Sequence, residues 1–222
     1  MKKIASIILA AGASTRMGKM KPLLRWQGKS FLQHAVDAAR GAGIQRVTVV
    51  LGAHVQHIQP EVLRLNVDSG HRVDSVHRVD SVCSVDSVHN ENWKLGLGTS
   101  IRKGMTHILA LDPDTSAVLI QLVDQPRVTK DLLLAILLAG KRQSVTLVAS
   151  RHDQSLGVPA LFSSFHFPEL RALPNDAGAK SLFYRHASTL ASIETDKANE
   201  DIDTPEQYAI LTAETYPLGQ IQ

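Results

Sequence analysis

The sequence lacks most of the features that mark extracellular, membrane or nucleic-acid-binding proteins. It has a single cysteine, Cys83, so an internal disulfide is excluded and a reducing cytoplasm is favoured. Its apolar runs all fall short of the roughly 20 residues that a membrane-spanning helix needs. The net charge is only +3, and lysine and arginine form no long block, which argues against a general nucleic-acid surface. We therefore expect a cytoplasmic protein with neither membrane nor nucleic acid among its partners.

Apolar residues make up 44% of the 222 positions, enough for one sizeable core. Apolar runs typical of buried strands alternate with helical stretches, which is the order of β-α-β units. The predicted strands are residues 4–10, 47–51, 117–123 and 145–149, and the predicted helices are residues 30–42, 99–111 and 129–141. We expect one Rossmann-like α/β domain over residues 1–222, with a mostly parallel sheet and helices on both faces.

The amino-terminal residues imitate a secretory signal, since a basic start is followed by a short apolar stretch and small residues. Cleavage near Ala11 or Ala13 would remove a strand whose end leads directly to Arg16 and Lys21. We therefore favour a retained, buried first strand over a signal peptide.

Residues 67–90 form four tandem hexads that begin with Val-Asp-Ser. Valine recurs every third residue from Val73 to Val88, which matches neither the strand period of 2 nor the helix period of 3.6. Four hexads are also too short for a β-helix that buries its own face. We expect an expanded loop or an irregular hairpin, inserted into the domain at about residues 67–90.

The hexads place His71, His77, Cys83 and His89 at six-residue spacing, which raises the possibility of a metal site. Repetition of one hexad produces this spacing without any requirement for coordination. Paired ligands of structural zinc usually lie two to five residues apart. We therefore expect no metal site in the repeat.

The segment from Leu9 to Lys21 has the character of a phosphate-binding loop. An apolar strand ends at a flexible Gly12, and Arg16 and Lys21 follow with positive charge and Ser14 with a hydroxyl. Neither Gly-x-Gly-x-x-Gly nor Gly-x-x-x-x-Gly-Lys-Ser/Thr occurs here, so a dehydrogenase and a P-loop kinase are disfavoured. A solvated loop is the alternative interpretation of the basic pair.

Carboxylates follow at two further places. Asp124 ends an apolar run, where it could face a metal ion or cap a helix that begins near Thr129. Asp201 and Asp203 would share one face of an extended segment. Thr204 begins a capping-box pattern, so Asp203 could instead be a solvated residue before a helix.

Six segments, in this order, resemble those of nucleotidyltransferases. The loop reads Leu-Ala-Ala-Gly-x-Ser-x-Arg-Met-Gly-x-x-Lys, and its Ala-Ala-Gly form is similar to that of molybdenum cofactor cytidylyltransferases within the MobA-like NTP transferase superfamily. The other five are residues 92–100, 124–126, 157–159, 176–179 and 201–205. The resemblance spans nearly the whole chain and implies a nucleotide-diphospho-sugar transferase-like fold. Asn175 departs from the pattern, since relatives often have glycine there.

The resemblance implies transfer of CMP from CTP to the phosphate of molybdopterin or molybdenum cofactor, with Mg²⁺ and release of pyrophosphate. It implies catalytic roles for Arg16, Lys21 and Asp124, and Mg²⁺ ligation by Asp124 and Asp203, with Asp201 a weaker candidate. The implied nucleotide-binding residues are Leu9, Ala10, Ala11, Gly12, Ser14, Arg16, Lys21, Gly98 and Ser100. The implied acceptor-binding residues are Gly157, Pro159, Asp176, Gly178 and Ala179.

The partners remain open in three respects. GTP could replace CTP, and another phosphate could replace the pterin as acceptor. The chain could also be a non-catalytic carrier that delivers the cofactor to a molybdenum hydroxylase. Retention of Asp124 and Asp203 argues against a carrier, because a carrier need not hold Mg²⁺.

Overall fold

The computed structural model describes residues 3–68, 83–196 and 200–214. Its strands are β1 (Lys3–Ala10), β2 (Arg25–Trp26), β3 (Lys29–Ser30), β4 (Arg46–Leu51), β5 (Ser84–His89), β6 (Thr115–Leu122), β7 (Leu147–His152), β8 (Ser155–Ser163) and β9 (Leu190–Glu194). Its α-helices are α1 (Phe31–Gly41), α2 (Val55–Asp68), α3 (Leu97–Leu111), α4 (Lys130–Ala139), α5 (Phe167–Arg171), α6 (Lys180–Arg185) and α7 (Pro205–Ala213). All four predicted strands and all three predicted helices are present, with ends that differ by at most three residues.

Seven strands form one sheet in the order β5-β4-β1-β6-β8-β7-β9, and β2 with β3 forms a small separate hairpin. Strands β5, β4, β1 and β6 run parallel to one another, and β7 runs parallel to β9. Only β8 runs antiparallel to both of its neighbours. The predicted α/β fold with a mostly parallel sheet is therefore confirmed.

Two apolar clusters cover the two faces of the sheet, because the central strands are buried on both sides. One cluster includes side chains of α1, α2, α4 and α7, and the other includes side chains of α3, α5 and α6. Caps fix several helix starts. The Ser30 and Thr129 side chains accept from the third residue of their helices, and Thr204 forms a complete capping box with Gln207. No helix in the described ranges is long and apolar enough to cross a bilayer.

The predicted insertion at residues 67–90 needs correction at both ends. Asp68 still belongs to α2, and residues 84–89 form β5, which pairs with β4 at the edge of the main sheet. Valines three residues apart suit this strand because it is covered on both faces, so Val85 joins one apolar cluster and Val88 packs against the other. Residues 69–82, with His71 and His77 of the repeat, lie outside the described residues.

We expect deletion of residues 71–82, which is the length of two hexads, to leave folding and activity largely unchanged. The backbone N–H of Val85 donates to Asn66 Oδ1 at 3.0 Å, so the end of α2 and the start of β5 already lie side by side. The remaining residues 69, 70 and 83 form a connection within the usual range of loop lengths. Melting temperature and turnover of the shortened chain should match the full chain, whereas a loss of folding would show that the repeat supports the domain.

Candidate active site

A cleft of about 310 Å³ opens where β1 and β6 end, at the carboxyl edge of the sheet. Ligands of open α/β sheets commonly bind at this edge. The cleft is lined by Leu9, Ala10, Ala11, Gly12, Ser14, Thr15, Arg16, Lys21, Pro22, Trp93, Gly96, Leu97, Ser100, Leu122, Val123, Asp124 and Asp203. It therefore brings together all the predicted catalytic, nucleotide-binding and metal-binding residues except Gly98.

The loop after β1 is held by its own backbone and by one serine. Ser14 adopts the left-handed conformation at φ 54°, and its carbonyl oxygen accepts from the N–H of Gly18 at 3.1 Å. The Ser14 hydroxyl accepts from the backbone N–H of Lys21 at 3.3 Å. A Cβ on Gly12 would meet nothing within 4 Å, so this position borders open space. Ser14 thus ties the loop to its carboxyl-terminal half, and the space beside Gly12 leaves room for a ligand.

Lys21 joins the two carboxylates at the floor of the cleft. Its Nζ donates to Asp124 Oδ2 at 2.7 Å and to Asp203 Oδ1 at 2.5 Å. Burial disfavours the charged amine, but the two carboxylates outweigh that effect and raise the pKa of Lys21. The same hydrogen bond from Lys21 lowers the pKa of Asp203. Lys21 is only 9% exposed, so the solvated-loop interpretation does not hold for it.

Arg16 extends from the same loop and donates to Asp203 Oδ2 at 2.8 Å. Its side chain is 71% exposed, so it lies at the mouth of the cleft rather than in its floor.

The structure also decides the alternative interpretations in which Asp124 caps a helix and Asp203 is a solvated residue before one. Thr129 caps α4 and Thr204 caps α7, which leaves the carboxylates of Asp124 and Asp203 to face Lys21.

Asp201 lies apart from the bridged pair. Its Oδ1 accepts from Gln125 Nε2 at 2.9 Å, and the residue borders a neighbouring cavity rather than the main cleft. Desolvation of its carboxyl, followed by the negative charge of Asp124, raises the pKa of Asp201 to about 6. The arrangement therefore ranks Asp203 above Asp201 as a partner of Asp124.

Gly98 packs against a loop instead of lining the cleft. Its N–H donates to the carbonyl oxygen of Asn175 at 2.9 Å, and an added Cβ would lie 1.9 Å from the carbonyl oxygen of Pro174. Ser100 does reach the cleft, and its hydroxyl accepts from Asn90 Nδ2 at 3.0 Å. The glycine thus permits close packing that sets the position of the first turn of α3.

A second cavity of about 280 Å³ adjoins the cleft and shares Leu9, Leu97 and Leu122 with it. Three of the predicted acceptor residues line it, namely Gly157, Gly178 and Ala179. Pro159 and Asp176 are not among its lining residues. The Pro159 carbonyl oxygen accepts from Ser150 Oγ at 2.8 Å, and Asp176 is exposed on the loop beside Gly96.

The model of the MobA-like NTP transferase domain matches residues 6–190, which is most of the chain. The chain belongs to this family. The MobA-like assignment predicted from the six segments is therefore confirmed, and the chain is a nucleotidyltransferase by family. The matched range includes the phosphate-binding loop and Asp124 but ends before Asp203.

Three curated relatives show how far the likeness to this MobA-like domain extends. Nicotine blue oxidoreductase of Paenarthrobacter nicotinovorans is 26% identical over 214 residues, covering 92% of this chain and 94% of that protein. A probable molybdenum cofactor guanylyltransferase of Bacillus cereus strain Q1 is 34% identical over 67 residues, covering 30% of this chain and 33% of that protein. The bifunctional protein GlmU of Caulobacter vibrioides is 52% identical over 52 residues, 22% of this chain, and the match spans only 11% of GlmU.

Rv0371c of Mycobacterium tuberculosis has the same fold, with a TM-score of 0.73 and 24% identity over 95% of this chain and 98% of that one. A second structure of Rv0371c is a complex with manganese, with a TM-score of 0.68, 23% identity and the same coverage of both chains.

Several residues at the MobA-like site carry no obvious signal in the sequence. Trp93 forms one wall of the cleft, and Gln125 and Lys180 border the second cavity. The Lys180 Nζ donates to Ser155 Oγ at 2.9 Å, which places a cation at the edge of that cavity. Trp93 and Gln125 lie in segments that resemble the family, but their residue types alone do not indicate a site. Lys180 belongs to the segment from residue 176 to residue 180 that is expected to line the acceptor side.

Proposed function

We propose that this MobA-like protein transfers CMP from CTP to the terminal phosphate of molybdopterin or molybdenum cofactor and releases pyrophosphate. The observation that supports it best is Lys21 between Asp124 and Asp203, at the floor of a cleft beside a second cavity. Nucleotidyl transfer needs positioned cations and carboxylates more than a covalent catalyst. The cleft supplies both, and the second cavity offers a separate place for an acceptor.

The two carboxylates also fit a magnesium ion. Their oxygens converge on one Nζ atom, so a single cation can contact both, and oxygen donors are the ligands that Mg²⁺ prefers. Asp124 and Asp203 would hold the ion, which would neutralise charge on the reacting phosphate oxygens. The manganese complex of Rv0371c supports a divalent cation in proteins of this fold.

The protein's own cations would act on the triphosphate. Lys21 is bound to carboxylates without a ligand, so its amine becomes available to phosphate oxygens once another cation satisfies Asp124 and Asp203. Arg16, at the mouth of the cleft, would contact the same chain of phosphates with its planar guanidinium. Both charges would stabilise the departing pyrophosphate. No covalent intermediate on the enzyme is needed.

The acceptor would occupy the second cavity, with its phosphate directed toward the cleft. The two spaces adjoin at Leu9, Leu97 and Leu122, which line both of them. The apolar walls would accommodate a flat ring system, and Lys180 would attract an anionic group at the rim. The partial match to the Bacillus cereus guanylyltransferase supports a molybdenum cofactor as acceptor. The Ala10-Ala11-Gly12 form of the loop favours CTP over GTP by resemblance.

Purified protein should therefore be incubated with each nucleoside triphosphate, Mg²⁺ and molybdopterin, while pyrophosphate release is measured. We expect release with CTP that requires both Mg²⁺ and the pterin. Release with GTP only would identify GTP as the nucleotide substrate, and release with another phosphate compound in place of the pterin would identify that compound as the acceptor. Tight pterin binding without pyrophosphate would indicate a carrier. Reduction of nicotine blue, assayed in parallel, would assign the activity named for the full-length relative instead.

A further inference from the structure

A second cluster of potential metal ligands lies at the opposite, amino-terminal edge of the sheet. His166 follows β8, Glu169 lies in α5, and His186 directly follows α6. Each offers one ligand atom, and the three atoms lie within 4.8 Å of one another. Thr146 directly precedes β7 and Thr189 directly precedes β9, so these two residues mark the edge where both strands begin. The cluster therefore lies at the edge of the sheet opposite to the nucleotide cleft.

Hydrogen bonds around His166 engage one of its two ring nitrogens. Nε2 lies 2.9 Å from Thr146 Oγ1, which in turn lies 2.7 Å from Thr189 Oγ1. In the tautomer in which Nε2 donates to Thr146, the Nδ1 atom of a neutral His166 carries a lone pair.

That lone pair is buried and without a partner. His166 is 0% exposed, and within the described part of the chain Nδ1 has no hydrogen-bond partner. The facing oxygen, Glu169 Oε1, lies 3.9 Å away, which is too far for a hydrogen bond. A buried acceptor left unsatisfied is costly, and a cation at this point would satisfy it.

The other two ligands complete the set. His186 Nε2 lies 2.6 Å from Glu169 Oε1, and the second oxygen of Glu169 is bound by Arg185 at 2.7 Å. Four-coordinate zinc with ligands at about 2.0–2.1 Å separates neighbouring donors by about 3.3 Å. The 3.9 Å and 2.6 Å separations lie on either side of this value, so small side-chain rotations would satisfy it.

We propose that His166, Glu169 and His186 form a zinc site that ties α5 to the end of α6. Two imidazole nitrogens and one carboxylate oxygen are a common zinc ligand set. The hydrogen bond between His166 Nε2 and Thr146 Oγ1 is of the kind that typically orients a metal-bound histidine through its second ring nitrogen. The three-residue spacing of His166 and Glu169 also lies within the range for paired zinc ligands, unlike the six-residue spacing of the hexads.

To test the proposal, the full chain is first stripped of metal with a chelator, and Zn²⁺ is then added. Excess Mg²⁺ is present to compete with Zn²⁺ at the carboxylates of the nucleotide cleft. The zinc content and the zinc affinity of the chain are measured. We expect about one zinc per chain, a higher melting temperature with zinc, and affinity at least about tenfold weaker in Glu169→Gln and in His186→Gln. His57→Gln is the matched control, since His57 is exposed and lies outside the cluster. It should bind zinc like the unmodified chain.

X-ray absorption of the zinc-loaded chain adds a measurement that does not depend on how the variants fold, and it should show two imidazole ligands. Absence of stoichiometric zinc in the unmodified chain would overturn the proposal. So would full zinc binding by both cluster variants, or loss of zinc on deletion of residues 71–82, which would place the metal in the hexads. None of these outcomes bears on pyrophosphate release, so the site and the proposed transferase activity are tested separately.

Discussion

Asp124→Asn should reduce turnover at least about 100-fold, equivalent to about 2.7 kcal/mol of transition-state stabilisation. An amide has nearly the same volume as a carboxylate but no negative charge, so it is a weaker ligand for Mg²⁺. The fold should persist, because Asp124 caps no helix and Lys21 retains Asp203 as a partner. Pyrophosphate release over a series of Mg²⁺ concentrations, with circular dichroism as a check of folding, measures the effect.

Asp112→Asn is the matched control for this substitution. Asp112 also accepts from a lysine, with Lys3 Nζ at 3.1 Å, but it lies beyond α3 at the other edge of the sheet. Its amide variant should keep normal turnover. Near-normal activity of Asp124→Asn at saturating Mg²⁺ would contradict the assigned role, and equal losses in both variants would indicate a general effect of removing a charge.

The sequence predicts the central part of this fold well because its strands are buried on both faces. Such strands read as continuous apolar runs, and β1, β4 and β6 are found close to their predicted positions. The β9 strand is only half-buried and short, and β5 is formed by a repeat whose three-residue period hides it. Neither strand gives a clear periodic signal in the sequence, so β5 and β9 are recognised as strands only from their pairing in the folded sheet.

The candidate site shows the same division between local and distant information. The loop from Leu9 to Lys21 is contiguous, so its glycine and cations could be recognised together. The bond between Lys21 and Asp203 joins residues 182 positions apart, and no local pattern predicts it. For Gly98 the local pattern misleads. A glycine in a segment that resembles the family indicates a ligand site, but in the structure Gly98 packs against the carbonyl oxygen of Pro174. The family match spans five of the six segments and ends before the sixth, at residues 201–205.

Lys21→Met should destabilise the metal-free protein while Mg²⁺ restores its stability but not its turnover. Methionine keeps much of the side-chain volume and removes the charge that joins Asp124 to Asp203. Removing one member of a fully buried ion pair costs about 3–5 kcal/mol, and these carboxylates retain some water, so we expect about 2–3 kcal/mol. For a domain of this size, that lowers the melting temperature in EDTA by roughly 4–12 °C.

Magnesium separates the two roles of Lys21 because the ion can replace the ammonium between the carboxylates but cannot replace the amine that Lys21 would then present to the triphosphate. The melting temperature of Lys21→Met should therefore rise more with Mg²⁺ than that of the unmodified chain, while pyrophosphate release stays low. Arg16→Ala is the control, since Arg16 also pairs with Asp203 but is mostly exposed, so its stability in EDTA should be unchanged. If Lys21→Met is as stable as Arg16→Ala in EDTA, Lys21 is not the counter-ion of the pair. If Mg²⁺ raises the melting temperature of Lys21→Met and of the unmodified chain equally, Asp124 and Asp203 do not hold the ion.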